Sequence, residues 1–185
     1  LKEMVKKINI SVNAKIDNVD VKNELSFLEK LNHNNIIKLI KHQISSELKL
    51  SILMEYCYCS LENLRTLFDK KEYLRKRISI DTSLAISYQL LNALNYLHTL
   101  PNPIAHLDIK DSNILITDTA TVKLIDFGLA MELDKNNLIN DGISRGTLEY
   151  QSPENKQKKN YGCSSDIWSF GILLYEMMFG KLPKP

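Results

Sequence analysis

The chain has 185 residues, of which 44% are hydrophobic and 25% charged, and its formal net charge is +2. This composition is typical of a globular protein with a buried core, and the small net charge gives no electrostatic case for a nucleic-acid or membrane-surface partner. The three cysteines, Cys57, Cys59 and Cys163, are too few and too unevenly spaced for a disulfide framework. We therefore expect reduced thiols in a protein of the cytoplasm or the nucleus. The most apolar helix pattern, residues 167–179, is too short to span a membrane and includes Glu176.

The first third of the chain predicts strands around one helix. Apolar residues alternate with others over residues 4–10, which favours a strand. Residues 21–31 carry apolar side chains on one stripe of a helix. Residues 36–40 and 48–54 indicate two more strands, and residues 55–60 break the pattern. This break is the best boundary between two lobes.

The rest of the chain predicts a mainly helical region. In order, we expect a short helix, a long helix that begins at Ser79 or Asp81, a hairpin, a polar functional loop and a buried closing helix. These elements cover residues 61–68, 79–100, 114–125, 131–160 and 167–180. The apolar stripe of the long helix is wide, so we expect this helix to be buried on most sides.

Polar side chains within residues 106–128 carry the chemistry. Asp108, Lys110 and Asn113 lie close together between apolar runs, and Asp126 follows a strand-like run. A base, a cation and two metal-ligating groups in this order are what phosphoryl transfer from ATP requires. Each residue alone would more simply cap a turn or end a strand, but the ordered set favours the catalytic interpretation.

The chain resembles the eukaryotic-type protein kinase family in three motifs: His-Leu-Asp-Ile-Lys at 106–110, Asn113, and Asp-Phe-Gly at 126–128. Lys110 is typical of its serine/threonine branch. The resemblance implies that Asp108 accepts or orients the proton of the substrate hydroxyl and that Lys110 reaches the transferring phosphate. It also implies that Asn113 and Asp126 bind Mg²⁺.

The resemblance implies an α+β fold with two lobes, incomplete at both ends. Residues 1–58 would form a partial N-terminal lobe with a small β-sheet, one helix and the hinge, and without the glycine-rich loop. Residues 59–185 would form a partial, mainly helical C-terminal lobe. We expect the last helix to expose an apolar face and the isolated segment to bind ATP weakly. The insert at residues 101–104 is similar to the tyrosine-kinase-like subgroup.

The resemblance also implies an ATP-phosphate lysine that pairs with a glutamate on the next helix. Lys6 is the candidate, because it shares the alternating strand face with apolar residues, whereas Lys7 faces the other side. Its partner would be Glu24. Met4 stands where the family has a small residue over adenine, and it is either flexible enough to fit or crowds the nucleotide.

The adenine pocket would lie at the linker that follows Met54, the last residue of the third predicted strand. Met54 resembles the residue at the back of the pocket, and the backbone of Glu55 and Cys57 would bond the adenine edge. Leu115 would form the floor, although ordinary core packing explains this residue equally well.

Residues 146–154 resemble the end of the kinase activation segment. Thr147 is expected to bridge Lys110 and Asp108. Asp166 would accept N–H bonds from the backbone of the catalytic loop, residues 106–113. The alternative is that Asp166 is a plain helix cap. Trp168 is expected to be core.

One departure concerns regulation. Leu107 replaces the arginine that receives the phosphorylated activation loop in many kinases, and leucine cannot pair with a phosphate. We hypothesise that catalysis does not depend on a phosphate at Ser144 or Thr147.

Two functions follow from these residues. The first is a protein serine/threonine kinase that uses ATP and Mg²⁺ and acts on protein substrates. The alternative is a pseudokinase scaffold, which Met4 and Leu107 support. No nucleic-acid or membrane partner is expected, and the oligomeric state stays open.

Overall fold

The computed structural model of the protein describes residues 19–44, 50–69, 77–133 and 138–184. This part of the chain contains helices and short antiparallel strands, so the predicted α+β class is confirmed. The helices are α1 (Val19–Lys30), α2 (Leu61–Asp69), α3 (Ile80–His98), α4 (Pro153–Lys156) and α5 (Cys163–Phe179). The strands are β1 (Leu39–Ile44), β2 (Leu50–Met54), β3 (Cys59–Ser60), β4 (Ile104–Ala105), β5 (Ile114–Ile116), β6 (Val122–Leu124) and β7 (Met131–Glu132). The predicted strand over residues 4–10 lies outside the described residues.

The N-terminal sheet begins later than predicted. β1 pairs antiparallel with β2, and Leu39 faces Met54 in the register. Ile36 and Ile37 are buried and connect instead to the hairpin, since Ile37 N donates to Leu124 O at 3.0 Å. Burial of these two side chains against the hairpin outweighs their tendency to extend the strand.

The predicted hairpin is confirmed. β5 and β6 pair antiparallel, and β3 adds to the β5 edge. Thr117 N donates to Thr121 O at 2.9 Å and closes the turn. This small sheet holds β5 in place, and β5 directly follows Asn113.

The long helix is less buried than predicted. α3 begins with Ser79 as its N-cap, whose hydroxyl accepts from Thr82 N. Its buried face packs on α5, while Tyr88 is 70% exposed on the other side. The expectation of burial on most sides was wrong, because a helix in a layered fold buries one stripe and apolar residues beyond that stripe stay outside. The exposed residues are Ile80, Leu84, Tyr88 and Leu91.

The closing helix α5 starts before the predicted residue 167 and ends at Gly180, whose φ of 72° is the left-handed conformation that glycine accepts without strain. The prediction that Trp168 is core was wrong, since 46% of it is exposed. Ile167, Trp168 and Phe179 form the exposed apolar face that was expected on this helix. Among the described residues, no helix is long and apolar enough to cross a membrane.

The polar stretch predicted as a loop contains two short elements, β7 and α4. β7 pairs with β4, which brings the chain after residue 130 against the start of the catalytic loop. A separate apolar cluster seals this contact. It contains Ala105, Leu107, Leu133, Ile139 and Tyr161, with Met131 and Cys163 at its edge.

Candidate active site

Asp108 lies at the centre of the site and is buried. Lys110 Nζ lies 2.8 Å from Asp108 Oδ2, and Asn113 Nδ2 donates to the same oxygen at 2.9 Å. Burial opposes ionisation of this carboxyl, but the hydrogen bonds from Lys110 and Thr147 hold its pKa below the usual value. Asp108 is therefore a carboxylate near neutral pH.

The predicted bridge through Thr147 is confirmed. Thr147 Oγ1 donates to Asp108 Oδ1 at 2.8 Å and lies 2.9 Å from Lys110 Nζ. The backbone N–H of Thr147 donates to the same Asp108 oxygen at 3.0 Å. Gly146 makes this approach possible, because its φ is +90° and a Cβ there would lie 2.1 Å from Leu107 O.

Asp166 anchors the catalytic loop, as predicted. It is fully buried in the first turn of α5, and its two oxygens accept from His106 N at 2.9 Å and Leu107 N at 2.8 Å. Leu107 has a φ of +65°, which costs a leucine about 1–2 kcal/mol. The bond to Asp166 helps to hold this strained residue, so Asp166 does more than cap a helix.

His98 was not found from the sequence. Its Nε2 lies 2.8 Å from Asp166 Oδ2. Burial disfavours the charged imidazole, but the hydrogen bonds with Asp166 and Cys163 outweigh it and raise the pKa of His98 to about 9. No local pattern marks this residue, because its partner lies on another helix.

His106 supports the loop as a neutral ring. It is fully buried, and burial lowers its pKa. Its Nδ1 accepts from Asp108 N at 3.3 Å, and its Nε2 lies 3.0 Å from Ile125 O. The ring also meets Phe127 edge-on, at 4.9 Å between centroids. Phe127 is fully buried, so it anchors the Asp-Phe-Gly motif in the core.

The two predicted metal ligands lie on neighbouring stretches of backbone, and their metal role stays a prediction. Ile125 N donates to Asn113 O at 3.0 Å, so Asp126 follows directly after a residue bonded to Asn113. Asp126 is exposed and has a φ of +68°, and its Oδ1 accepts from Gly128 N at 3.3 Å.

These residues fit an open Mg²⁺ site. The Asn113 nitrogen is used by Asp108, which leaves the amide oxygen of Asn113 as a possible ligand. One carboxylate and one amide oxygen suit an ion that keeps waters and takes phosphate oxygens. Within the described ranges, no group of three or more histidine, cysteine or acidic side chains could enclose a metal.

The predicted adenine pocket has free backbone groups. Met54 ends β2 and is buried. Neither the Glu55 carbonyl nor the Cys57 N–H makes a hydrogen bond to another described residue. The Glu55 side chain is engaged, since its Oε1 lies 2.8 Å from Lys123 Nζ. Burial and then the nearby Glu55 raise the pKa of the Cys57 thiol to about 11, so Cys57 is neutral.

The remaining predicted nucleotide residues are placed in part. Leu115 is half-buried in β5, opposite Ser60, and packs on the main core. Glu24 is half-buried on α1. Lys6 and Met4 lie outside the described residues, so the Lys6–Glu24 pair stays a prediction.

A buried ionic network below the catalytic loop was also missed. Arg65 on α2 contacts Asp111 and lies 2.8 Å from Glu176 Oε1. Tyr150 donates to Glu176 Oε2 at 2.5 Å, and burial followed by this bond raises the pKa of the tyrosine. A lone arginine is usually a surface residue, so no sequence pattern marks Arg65 for this role.

Comparisons with known proteins show the family of the chain. A family model described as the protein kinase domain matches residues 2–185. The chain is 36% identical over 171 residues to serine/threonine-protein kinase par-4 of Caenorhabditis briggsae, covering 89% of this chain and 25% of that protein. It is 35% identical over 185 residues to a serine/threonine-protein kinase STE7 homolog of Candida albicans, covering 97% and 29%.

A third relative is a putative mitogen-activated protein kinase kinase kinase 7-like protein of Drosophila melanogaster. It is 36% identical over 162 residues, which cover 86% of this chain and 39% of that protein. The chain thus spans well under half the length of these relatives. The subgroup predicted from residues 101–104 stays a prediction. The motifs, the geometry and the family match lead to one conclusion: the chain belongs to the protein kinase family.

Proposed function

We propose that the chain is a catalytic segment of a protein serine/threonine kinase, which transfers the γ-phosphate of ATP to serine or threonine hydroxyls of proteins with Mg²⁺. The observation that carries this proposal is the contact of one buried carboxylate, Asp108, with both Lys110 and Thr147 at 2.8 Å. This contact joins the proposed base, the proposed phosphate-binding cation and the activation segment. The relatives' names as serine/threonine-protein kinases support the choice of acceptor.

Asp108 would orient the substrate hydroxyl more than it would deprotonate it. Its two oxygens already accept from Lys110, Asn113 and Thr147, and a carboxylate with a lowered pKa is a weak base. A hydroxyl held by this carboxylate would have its oxygen aligned with the phosphorus for in-line attack. Lys110 would stabilise negative charge on the transferring phosphate.

We assign Mg²⁺ to Asn113 and Asp126. When bound, the ion neutralises negative charge that develops on the phosphate oxygens. Asp126 would contribute a charged oxygen and Asn113 a neutral one, the hard ligands that Mg²⁺ prefers.

We assign ATP to a pocket formed by Lys6, Glu24, Met54, Glu55, Cys57 and Leu115. The Glu55 carbonyl and the Cys57 N–H are the backbone groups that would bond the adenine edge. Lys6, held by Glu24, would contact the phosphates. The two-lobe division at residues 58 and 59 is part of this proposal, because it puts the pocket between the lobes.

The activation segment would hold its position without a phosphate. Leu107 is buried in an apolar cluster with Ile139 and Tyr161, where an arginine would need a partner. Ser144 Oγ donates to Gln151 Oε1 at 3.1 Å, and a phosphate there would break this bond. Burial of apolar surface would replace the ion pair that docks the segment in many kinases.

A pseudokinase scaffold is the second candidate, and Leu107 is the observation that favours it. The ordered contacts of Asp108 make it the weaker candidate, because a scaffold does not need a buried, hydrogen-bonded carboxylate. The proposal implies a protein that acts in the cytoplasm. Its partners would be ATP and protein substrates.

The test is phosphate transfer from labelled ATP to a generic serine/threonine substrate, with Mg²⁺ and with the natural flanking sequence present. Asp108→Asn and Asp126→Asn are each expected to lower transfer by about 100-fold or more. Asp118→Asn, in the exposed hairpin turn, is the control and should leave transfer unchanged. A folded wild type without transfer would favour the scaffold, and full activity in either site variant would refute that residue's role.

A further inference from the structure

Asn23 on α1 reaches across the fold to the turn after Asp126. Its Nδ2 donates to Ala130 O at 2.8 Å and to Gly128 O at 3.2 Å, and it lies 3.5 Å from Phe127 O. One amide has two N–H groups, so the two shorter distances mark the main bonds. A single side chain therefore supplies donors to two carbonyls of the turn, those of Gly128 and Ala130.

The turn needs this partner because its own hydrogen bonds leave those carbonyls unused. Ala130 N donates to Phe127 O at 3.1 Å, and Gly128 N donates to the Asp126 side chain. Apart from Asn23, no described residue donates to the carbonyls of Gly128 and Ala130. Part-buried carbonyls without a donor are costly, so the turn and α1 stabilise each other.

An apolar contact reinforces the same connection. Phe27, one turn further along α1, packs against Phe127 with 6.2 Å between ring centroids. On its other side the turn is joined to the catalytic loop, because Ile125 N donates to Asn113 O and Ile125 O contacts His106. Asp126 thus lies between a connection to α1 and a connection to the catalytic loop.

We propose that Asn23 is a positioning residue, whose amide fixes the turn of residues 127–130 to α1 and thereby sets Asp126 against Asn113 for Mg²⁺. This inference rests on the proposed function only through the metal role of Asp126. Glu24 is the next residue on α1, so a shift of α1 would move the proposed phosphate-lysine partner and the metal ligand together.

Asn23→Asp and Asn23→Ala test the proposal. Asp keeps the size of the side chain, removes both N–H groups and places charge against the carbonyls, while Ala removes the contact without adding charge. Ser26→Ala is the matched control. Ser26 and Asn23 line one cavity between α1 and the turn, but the Ser26 hydroxyl donates within α1, to Asn23 O at 2.9 Å. Far-UV circular dichroism and melting without ligand establish that each variant is folded.

The first readout is binding and does not need turnover. The increase in melting temperature caused by a non-hydrolysable ATP analogue is measured against Mg²⁺ concentration, with the natural flanking sequence present. Both Asn23 variants should need about five-fold more Mg²⁺ for half of the effect, whereas Ser26→Ala should match the wild type. The second readout is transfer, where kcat should fall and KM for the protein substrate should stay constant.

A double-mutant cycle identifies the route of the effect. If Asn23 acts through Asp126, then adding Asn23→Ala to Asp126→Asn should change the Mg²⁺ requirement no further. An unchanged Mg²⁺ requirement in both Asn23→Ala and Asn23→Asp would overturn the inference, and so would full additivity in the cycle. Neither result would affect the proposed kinase activity.

Failure of the proposed function is distinguishable. A wild type that shows Mg²⁺-dependent nucleotide binding and no transfer would refute the catalytic proposal, and the Asn23 shift in that binding would still support the inference. A wild type whose nucleotide binding ignores Mg²⁺ would remove the metal role of Asp126 and overturn the inference with it.

Discussion

The two aspartates of the site lie in regions of opposite character. Asp108 is buried in a loop whose polar groups are satisfied by the protein itself, through Lys110, Asn113 and Thr147. Asp126 is exposed and has a left-handed backbone, and within the described ranges its side chain accepts one hydrogen bond, from Gly128 N at 3.3 Å. The catalytic loop is thus preorganised by its own hydrogen bonds, whereas the turn that carries the proposed metal ligand is held by contacts from α1.

The largest expected effect breaks the preorganised side. Asp166→Asn keeps the shape but sets an N–H₂ group against a backbone N–H of His106 or Leu107, and it leaves His98 without its counter-charge. We expect the free energy of unfolding to fall by about 3–5 kcal/mol, the usual cost of breaking a buried pair. Denaturant titration measures this loss.

The matching change on the other side is Asp126→Asn. Because the Asp126 side chain is exposed, its effect on unfolding should stay within about 0.5 kcal/mol. Equal losses for Asp126→Asn and Asp166→Asn would contradict the contrast between the two regions.

The next prediction removes a buried side chain from the apolar cluster around Leu107. Ile139→Ala removes a buried side chain and should cost about 3 kcal/mol and loosen the activation segment. Its neighbour Leu138 is 47% exposed, so Leu138→Ala is a control of similar size that should cost about 0.5 kcal/mol or less. Limited proteolysis of residues 138–161 checks whether the segment itself is released.

Phosphate dependence is tested at Ser144, which lies in the same segment as Ile139. Ser144→Ala should leave transfer unchanged, because under the proposal burial, and not a phosphate, holds the segment. Loss of transfer in Ser144→Ala that is restored by Ser144→Glu would show that a phosphate is needed after all.

Gly146→Ala is expected to separate Thr147 from Asp108. A Cβ would lie 2.1 Å from Leu107 O, and the backbone must shift to avoid it. The cost should be about 2 kcal/mol in unfolding free energy, with a larger loss of transfer than of stability. Gly142→Ala is the control, since it has a similar φ of +73° and nothing within 4 Å of the new methyl group. If both variants lose equal activity, the contact of Gly146 with Leu107 is not what matters.

The site was predictable where its chemistry is local in sequence. Asp108, Lys110 and Asn113 are spaced so closely that the loop brings them together, and the motif identified them. Thr147 was predicted only through the family resemblance, and the contact was found. His98, Asn23 and Arg65 were missed because each acts on a partner far along the chain, and nothing in the neighbouring residues marks such a contact.

The fold was predictable where one physical signal dominates. The hairpin has alternating apolar residues around a polar turn, and β5 and β6 formed where expected. α3 has apolar residues on more than one side, so the pattern did not indicate which stripe is buried, and Tyr88 is exposed. Ile36 and Ile37 show the same limit, because contact with Leu124 decided their structure.

The last prediction concerns the pH dependence of stability, in the region around Asp166. The folded pKa of His98 is about 9, above its ordinary 6.5. The stability that comes from its charge is therefore fully present below about pH 6.5 and is lost as pH rises through 9. The pKa difference limits this loss to about 3 kcal/mol, and partial exposure to solvent lowers the expected value to about 1 kcal/mol.

Urea unfolding at several pH values from about 6 to 9.5 measures the free energy of unfolding across this titration. In His98→Gln the loss between the two ends should disappear, because glutamine does not titrate. His42→Gln is the control, since His42 is exposed and contacts Glu29 at 3.4 Å. If the wild type and His98→Gln have the same pH profile, then folding does not shift the pKa of His98, and its charge adds nothing to the contact with Asp166.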